Sequence, residues 1–202
     1  MTVPDLKQPL LSVRDLCIKT STGLPILDGV SFDVGAGEIV ALVGESGSGK
    51  TVAARATMRL LPKVIRPVAG EILFNQRDVL KIRAIRGAQI GMVFQEPMVS
   101  LNPAMTIGAQ LIEGLRLHEK LGIDAALTRA TDMLERVRIA DPAACLAAFP
   151  HQFSGGMRQR IMLASVMLLR PKLLIADEPT TALDTLTQRE VLEVMVDLTR
   201  TF

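Results

Sequence analysis

The sequence predicts an α/β fold with a parallel core sheet, an antiparallel β edge and a helical insertion. Three observations predict it. The β-branched run at residues 38–43 leads into a glycine-rich segment and then a helix-forming stretch, which is the order strand, loop, helix. The nearly all-apolar run at 173–176 is typical of a strand that is buried on both faces of a parallel sheet. Between residues 100 and 150, apolar side chains recur at three- and four-residue steps, as in amphipathic helices.

The remaining elements follow from local composition. Residues 10–18 and 30–34 predict two short strands that form the antiparallel edge, separated by a turn with Gly and Pro. Residues 51–61 predict a helix that stops before a proline, and residues 71–74 and 90–94 predict further strands. The core-facing side chains predicted for the helical insertion are Ile123, Leu127, Ala130, Met133, Leu134 and Val137.

The composition is that of one compact domain with an inserted subdomain: 202 residues, of which 49% are hydrophobic and 22% charged. These values exclude a disordered chain, a collagen and a coiled coil. The 23 Lys and Arg side chains are scattered among 21 Asp and Glu, and Trp and Tyr are absent, so no nucleic-acid partner is predicted. The longest apolar run, residues 161–169, has about half of the ~20 residues that span a bilayer.

The sequence carries few signals of targeting or redox chemistry. Residues 1–16 mix charge and proline into every short window, unlike the continuous apolar core of a secretion signal, so a cytosolic location is expected. Cys17 and Cys145 are isolated, with no second ligand at metal-binding spacing. We expect both to be free, buried thiols.

A motif of the form G-x-x-x-x-G-K-[ST] lies between the predicted strand at 38–43 and the predicted helix at 51–61. Its glycines let successive backbone N–H groups face a phosphate, and the helix N-terminus adds positive dipole. In such a loop Lys50 reaches the β- and γ-phosphates and the Thr51 hydroxyl is a ligand for Mg²⁺. A flexible Gly/Ser turn is the alternative, and the flanking strand and helix favour the phosphate site. The predicted site consists of Gly44, Glu45, Ser46, Gly47, Ser48, Gly49, Lys50 and Thr51.

Two adjacent carboxylates follow the predicted strand at 173–176. The strand delivers Asp177 at its carboxyl end, where a carboxylate can hold hydrated Mg²⁺ beside a phosphate loop. Glu178 then stands next to the γ-phosphate, where it can accept a proton from an attacking water or orient that water. An Asp-Glu pair by itself is usually a solvated turn, so the catalytic prediction depends on the buried strand and on the upstream phosphate loop.

A second phosphate-binding surface is predicted at the start of an apolar helix. Ser154 is a candidate N-cap, and Gly155 and Gly156 expose bare backbone N–H groups at the positive end of the helix. The same residues also suit an ordinary helix cap with glycine for a tight entry. One chain therefore carries two candidate phosphate-binding surfaces.

The order of these motifs resembles the ATP-binding subunits of ABC transporters across essentially the whole chain: phosphate loop, glutamine segment, S-G-G-M-R-Q, L-L-I-A-D-E and T-A-L-D. The resemblance implies an α/β fold with a RecA-like P-loop NTPase core at residues 1–98 and 151–202, an antiparallel β edge, and a helical insertion at 99–150. It also implies that the chain binds ATP and Mg²⁺ and hydrolyses ATP to drive transport.

In this family the S-G-G signature of one subunit closes on the nucleotide held by the Walker loops of another, so the resemblance implies a second ATP-binding subunit, identical or a paralogue. Gln95 looks like the Q-loop residue that senses Mg²⁺ and couples to transmembrane permease subunits. Ala182, Leu183 and Asp184 look like the D-loop, which crosses the dimer interface. A periplasmic or extracellular solute-binding protein is implied indirectly, and the subunit is expected at the cytoplasmic face of the cell membrane.

Three stretches, residues 94–103, 149–152 and 177–184, are similar to the ATPases of dipeptide, oligopeptide and nickel importers. The resemblance therefore implies an importer of peptides, or of nickel. On this interpretation His151 fixes the geometry of the loop before the signature helix, and His118 is a surface residue.

The chain departs from the family pattern in three places. Residues 18–21 stand where the family usually has an aromatic residue that stacks on adenine, and Phe153 replaces the more usual leucine. The family's switch histidine lies farther along than the 24 residues that follow Glu178, so we expect a C-terminally truncated fragment. Two alternatives stay open: an ABC-type ATPase that acts on DNA or ribosomes, and a degenerate partner that binds ATP with little hydrolysis.

Overall fold

The computed structural model describes residues 8–82, 85–94, 100–181 and 183–202. The chain divides into two units, Met1–Ile85 and Arg86–Phe202. The first unit contains β1 (Leu11–Thr20), β2 (Pro25–Val34), α1 (Lys50–Thr57), β3 (Ile65–Phe74) and β4 (Arg77–Asp78). The second contains β5 (Ile90–Val93), α2 (Ile107–His118), α3 (Ile123–Arg136), α4 (Pro142–Ala147), α5 (Gly155–Met167), β6 (Leu173–Ala176) and α6 (Thr185–Thr201).

The first unit is built on an antiparallel sheet with the strand order β2-β1-β3-β4. Leu11 lies opposite Val34 of β2 on one side and opposite Phe74 of β3 on the other. β1 buries Leu11 and Val13 before a register shift and Leu16 and Ile18 after it, and Ile18 and Phe74 are fully buried. The predicted antiparallel edge is confirmed, although β2 and β3 each begin several residues earlier than the local composition indicates.

The predicted strand at residues 38–43 is wrong. No ladder pairs this segment with another strand in the described part of the chain, and Ile39 and Val43 are exposed. A β-branched run favours an extended backbone, but a strand also needs a neighbouring strand that satisfies its backbone hydrogen bonds. Within the first unit β1 is already paired on both edges, by β2 and by β3.

The second unit contains a parallel pair, β5 and β6, in which Ile90 lies opposite Leu173 and Val93 lies opposite Ala176. Both strands fall where the sequence predicts them, and the parallel pairing of the apolar 173–176 run is confirmed. Burial is less complete than expected, because Ala176 at the end of β6 is exposed.

The helices of the second unit share one apolar core. Among its fully buried side chains are Leu115 of α2, Leu134 of α3 and Ile161 of α5. The helical spacing predicted for the insertion is confirmed at its centre and fails at its beginning: Ile123, the first residue of α3, is 53% exposed. No helix of the described residues is long and apolar enough to span a bilayer.

Polar contacts tie these helices to one another. Arg138, just after α3, pairs with Glu193 at 3.3 Å and with Asp197 at 3.1 Å, both on α6. Its carbonyl accepts a hydrogen bond from Arg160 of α5 at 2.8 Å. Hydrogen bonds from Arg189 and Arg138 lower the pKa of Glu193. Because these side chains are about half exposed, we expect the ion pairs to contribute little to the stability of the fold.

Gly91 of β5 packs so closely on α5 that a larger residue is expected to destabilise the fold. A Cβ at this position would overlap Val166 Cγ1 and approach Pro171 Cγ to 2.9 Å. We expect Gly91→Ala to lower the free energy of unfolding by about 1–3 kcal/mol in urea titrations. Gly114→Ala is the matched control, because a Cβ on Gly114 of α2 would make an ordinary 3.5 Å contact with Leu169. Alanine is also the better helix former, so this variant should be more stable by up to ~1 kcal/mol. Equal unfolding midpoints for the two variants would contradict this packing.

The two cysteines are expected to differ in reactivity. Both are free, as predicted, but only Cys145 is buried; Cys17 is half-buried, and its Sγ accepts a 3.2 Å hydrogen bond from the Gly29 N–H. Burial, reinforced by the Asp141 carboxylate, raises the pKa of the Cys145 thiol to about 11, so almost no thiolate is present near neutral pH. Maleimide should therefore label Cys17 in the native protein and Cys145 only after unfolding, as read by peptide mass mapping. Rapid native labelling of Cys145 would show that its burial is wrong.

Candidate functional site

The glycine-rich segment at residues 44–51 forms an exposed loop at 44–48 that leads through Gly49 into the first turn of α1. Gly47 and Gly49 have φ angles of 81° and 92°, in the left-handed region that favours glycine. Gly49 is the N-cap of α1, and the first turn of that helix contains no acidic residue. The loop therefore presents an exposed backbone and the positive end of a helix to solvent, which is the arrangement that binds phosphate.

The loop is braced against the start of β2. A Cβ on Gly49 would overlap Leu27 Cδ2 and lie 3.3 Å from the carbonyl oxygen of Ile26. At the other end of the loop, a Cβ on Gly44 would lie 2.8 Å from Ser48 Oγ. Glycine at Gly49 is therefore required by packing as well as by backbone conformation, whereas a Cβ on Gly44 would displace only the rotatable hydroxyl of Ser48.

Lys50 closes the loop on itself. Its Nζ donates hydrogen bonds to the carbonyl oxygens of Gly44 and Glu45, each at 2.8 Å. The ammonium group thus lies at the mouth of the loop, held by partners that a phosphate can replace with stronger, charge-assisted hydrogen bonds. These residues fit the β- and γ-phosphates of a nucleotide, as the motif predicts.

The two predicted carboxylates lie at the end of β6 in the second unit. Asp177 is buried, and its N–H donates to the carbonyl of Val93 at 3.0 Å, which continues the pairing of β6 with β5. Carboxylate oxygens are hard ligands suited to Mg²⁺, so the chemistry of Asp177 fits the predicted metal role. The phosphate loop and this strand end belong to different units of the chain.

Glu178 has an unusual backbone conformation. Its φ is 47°, in the left-handed region that is uncommon for a residue other than glycine and that seven other non-glycine residues of the described chain share. Its side chain is exposed, and Oε2 accepts a hydrogen bond from Thr181 Oγ1 at 3.1 Å. The same hydroxyl also lies 3.2 Å from the Glu178 carbonyl. Thr181 therefore limits where the candidate catalytic carboxylate can point.

Ser154 caps α5 as the sequence predicts, with its Oγ accepting a hydrogen bond from the Met157 N–H at 3.3 Å. Gly155 is half-buried and Gly156 is buried. Nearby, His151 is exposed and stacks on Phe149 with ring centroids 5.9 Å apart, which fits its predicted role in holding the preceding loop. His118 is exposed, as predicted.

Asp184 caps α6 with two hydrogen bonds from one residue. The Thr187 hydroxyl donates to Asp184 Oδ2 at 2.7 Å and the Thr187 N–H donates to Oδ1 at 3.0 Å. These bonds lower the pKa of Asp184. Gln188 then donates to the carbonyls of Thr180 and Leu183 at 2.9 and 3.1 Å, so the loop after Glu178 is fastened to α6.

Sequence reasoning missed the supporting roles of Thr181, Thr187 and Gln188. A signal was present for Thr187, because an N-cap Asp followed three residues later by a residue with a hydroxyl is a local capping pattern. Gln95 and Ala182, the remaining predicted residues of the site, lie outside the described residues.

Comparison with known proteins identifies the family. The family model described as ABC transporter matches residues 27–181, which include the phosphate loop, the signature and both carboxylates. The chain belongs to the ABC transporter family. Its predicted resemblance is therefore confirmed.

Three curated relatives are 45–50% identical to the chain over the residues that match. The peptidoglycan transport ATP-binding protein YejF of Agrobacterium fabrum is 50% identical over 95% of this chain and 37% of its own length. The oligopeptide transport ATP-binding protein OppD of Bacillus subtilis is 48% identical over 94% of this chain and 55% of its own. The dipeptide transport ATP-binding protein DppD of Escherichia coli is 45% identical over 85% and 54%. The chain thus spans 37–55% of the length of these three relatives.

Solved ABC cassettes have the same fold. CbiO1 from Clostridium perfringens, described as part of an ABC transporter complex, superposes with a TM-score of 0.80 at 28% identity, over 96% of this chain and 74% of that one. The dimeric bacterial ABC transporter cassette MJ0796 superposes with a TM-score of 0.80 at 24% identity, over 95% and 83%. The predicted fold class, an α/β P-loop NTPase core with an antiparallel β edge and an inserted helical subdomain, is confirmed.

Proposed function

We propose that this protein is the ATP-binding and ATP-hydrolysing subunit that powers an ABC importer for peptides. The observation that carries the proposal is the phosphate loop at residues 44–51, with Lys50 at its mouth and the start of α1 behind it. The peptide assignment is supported by the names of two relatives, an oligopeptide and a dipeptide transport ATP-binding protein.

Each predicted residue has a role in this proposal. Residues 44–51 surround the phosphates, and Lys50 compensates their charge. Thr51, Gln95 and Asp177 would hold Mg²⁺, which when bound neutralises charge that develops on the phosphate oxygens. Glu178 orients the attacking water and accepts its proton.

The signature residues act on a neighbouring subunit in this proposal. Ser154, Gly155 and Gly156 would complete the nucleotide site of a second ATP-binding subunit when two subunits close together. The positive end of α5 and the Ser154 hydroxyl suit the phosphates of a nucleotide that approaches from outside the chain. The dimeric arrangement of a solved cassette of the same fold is consistent with this.

The proposal extends to partners and location. We infer that the subunit works at the cytoplasmic face of the cell membrane, bound peripherally to transmembrane permease subunits, with a solute-binding protein supplying the peptide. The nucleotide-binding core would comprise residues 1–98 and 151–202, and the helical insertion at 99–150 would lead to the signature.

Reconstitution tests the proposal. The full-length protein would be assembled with its permease subunits in proteoliposomes, and uptake of labelled peptide would be measured with ATP and with a non-hydrolysable ATP analogue. We expect peptide uptake and phosphate release with ATP, and neither of them with the analogue. Phosphate release without uptake would favour an ABC ATPase outside transport, binding of ATP without phosphate release would favour a degenerate partner, and uptake of Ni²⁺ instead of peptide would reassign the substrate.

A further inference from the structure

The two glycines at the start of α5 have different surroundings. A Cβ on Gly155 would make an ordinary 3.5 Å contact with Leu183 Cδ2. A Cβ on Gly156 would overlap the Cγ2 methyl of Thr187, while lying 3.7 Å from Thr187 Cβ and 3.9 Å from its Oγ1. A single methyl group of α6 therefore obstructs a side chain at Gly156, and the obstruction comes from inside the same chain.

That methyl group is held in place. Rotation about χ1 of Thr187 would move Oγ1 away from Asp184 Oδ2 and break the 2.7 Å hydrogen bond between them. The bond is charge-assisted, and the Thr187 N–H adds a second contact to the same carboxylate at 3.0 Å. Thr187 consequently cannot turn its methyl group away from Gly156 without losing the hydroxyl bond to Asp184, although the N–H bond that caps α6 would remain.

We propose that Thr187 is a positioning residue that seats the start of α5 against the start of α6, and that its methyl group, rather than the approach of a ligand, requires glycine at Gly156. The catalytic consequence rests on the proposed function: Ser154, the N-cap of α5, and Asp184, the N-cap of α6, would be presented to a partner subunit as one rigid surface. Gln188 ties the loop that follows Glu178 to the same helix.

A methyl-exchange experiment tests the contact. Gly156→Ala adds a methyl group on α5, Thr187→Ser deletes the opposing methyl from α6 while keeping the hydroxyl bond to Asp184, and the double variant moves the methyl from one side to the other. In the full-length protein we expect Gly156→Ala to lower Tm, although alanine is the better helix former. The double variant should recover the Tm of Thr187→Ser or exceed it, which is a non-additive cycle of the kind that residues in contact show. Gly114→Ala, whose Cβ would make only ordinary contacts of 3.5 Å or more with Leu169, serves as a control and should not lower Tm.

The same variants in the reconstituted transporter separate positioning from general damage. We expect Gly156→Ala to lower kcat about tenfold while the KM for ATP stays within about twofold, because the phosphate loop is untouched, and we expect the double variant to regain most of kcat. A double variant with restored Tm but the low kcat of Gly156→Ala would overturn the proposal, since the glycine would then serve a ligand. Additive losses of Tm would overturn it as well. A wild-type protein without ATP turnover would instead refute the proposed function, and the Tm cycle would still decide the contact.

Discussion

Replacing Glu178 by glutamine is expected to slow ATP hydrolysis by about 10²- to 10⁴-fold in the full-length transporter while ATP affinity stays near the wild-type value. Glutamine keeps the size of the side chain, and its amide oxygen can still accept the hydrogen bond that Thr181 donates to Glu178 Oε2. What is lost is the ability to take a proton from water. The measurements are phosphate release and equilibrium binding of Mg·ATP on the same preparations.

Glu113→Gln is a suitable control, because Glu113 is an exposed residue of α2 and the substitution removes the same charge from the same unit. It should hydrolyse ATP at the wild-type rate. If Glu178→Gln does so too, the role assigned to Glu178 is wrong and another group must orient the water. A parallel loss of ATP binding in Glu178→Gln would indicate a structural role for the carboxylate instead.

Features that depend on neighbours in sequence could be predicted well. The run at 173–176 forms β6 as expected, because four consecutive apolar residues before Asp177 favour a short core strand, although only Leu173 is buried. Ser154 caps α5 because the capping hydroxyl and the N–H it satisfies are three residues apart. The phosphate loop likewise takes its shape from its own glycines, as the φ angles of Gly47 and Gly49 show.

Features that depend on distant residues could not be predicted. The segment at 38–43 has the composition of a strand, but among the described residues it has no neighbouring strand to pair with. Local composition does not predict which segments lie side by side. Ile123 matches the helical spacing of α3, yet it is the first residue of that helix and its side chain is exposed to solvent. The methyl contact of Thr187 with Gly156 joins residues far apart in sequence, and S-G-G alone suggests only a cap or a ligand site.

Replacing Lys50 by alanine is expected to weaken Mg·ATP binding by about 10²-fold or more, and turnover should fall at least as far. Hydrogen bonds to charged groups contribute about 1.5–3 kcal/mol each, and about 1.4 kcal/mol corresponds to a tenfold change in affinity. The loss should therefore reach 10²-fold if the ammonium makes one or two bonds to phosphate. Calorimetric titration of the full-length protein with Mg·ATP measures it directly.

Two further variants distinguish charge from geometry in that titration. Lys81→Ala removes the same charge from an 83% exposed side chain in the same unit, and it should bind Mg·ATP like the wild-type protein. Lys50→Arg keeps the charge but replaces a compact ammonium by a planar fork, which cannot occupy the position where Nζ now contacts the carbonyls of Gly44 and Glu45. Affinity for Lys50→Arg should thus fall between wild type and Lys50→Ala. If all three variants bind Mg·ATP equally well, the phosphates do not lie at this loop, because a group that compensates their charge cannot be removed without cost.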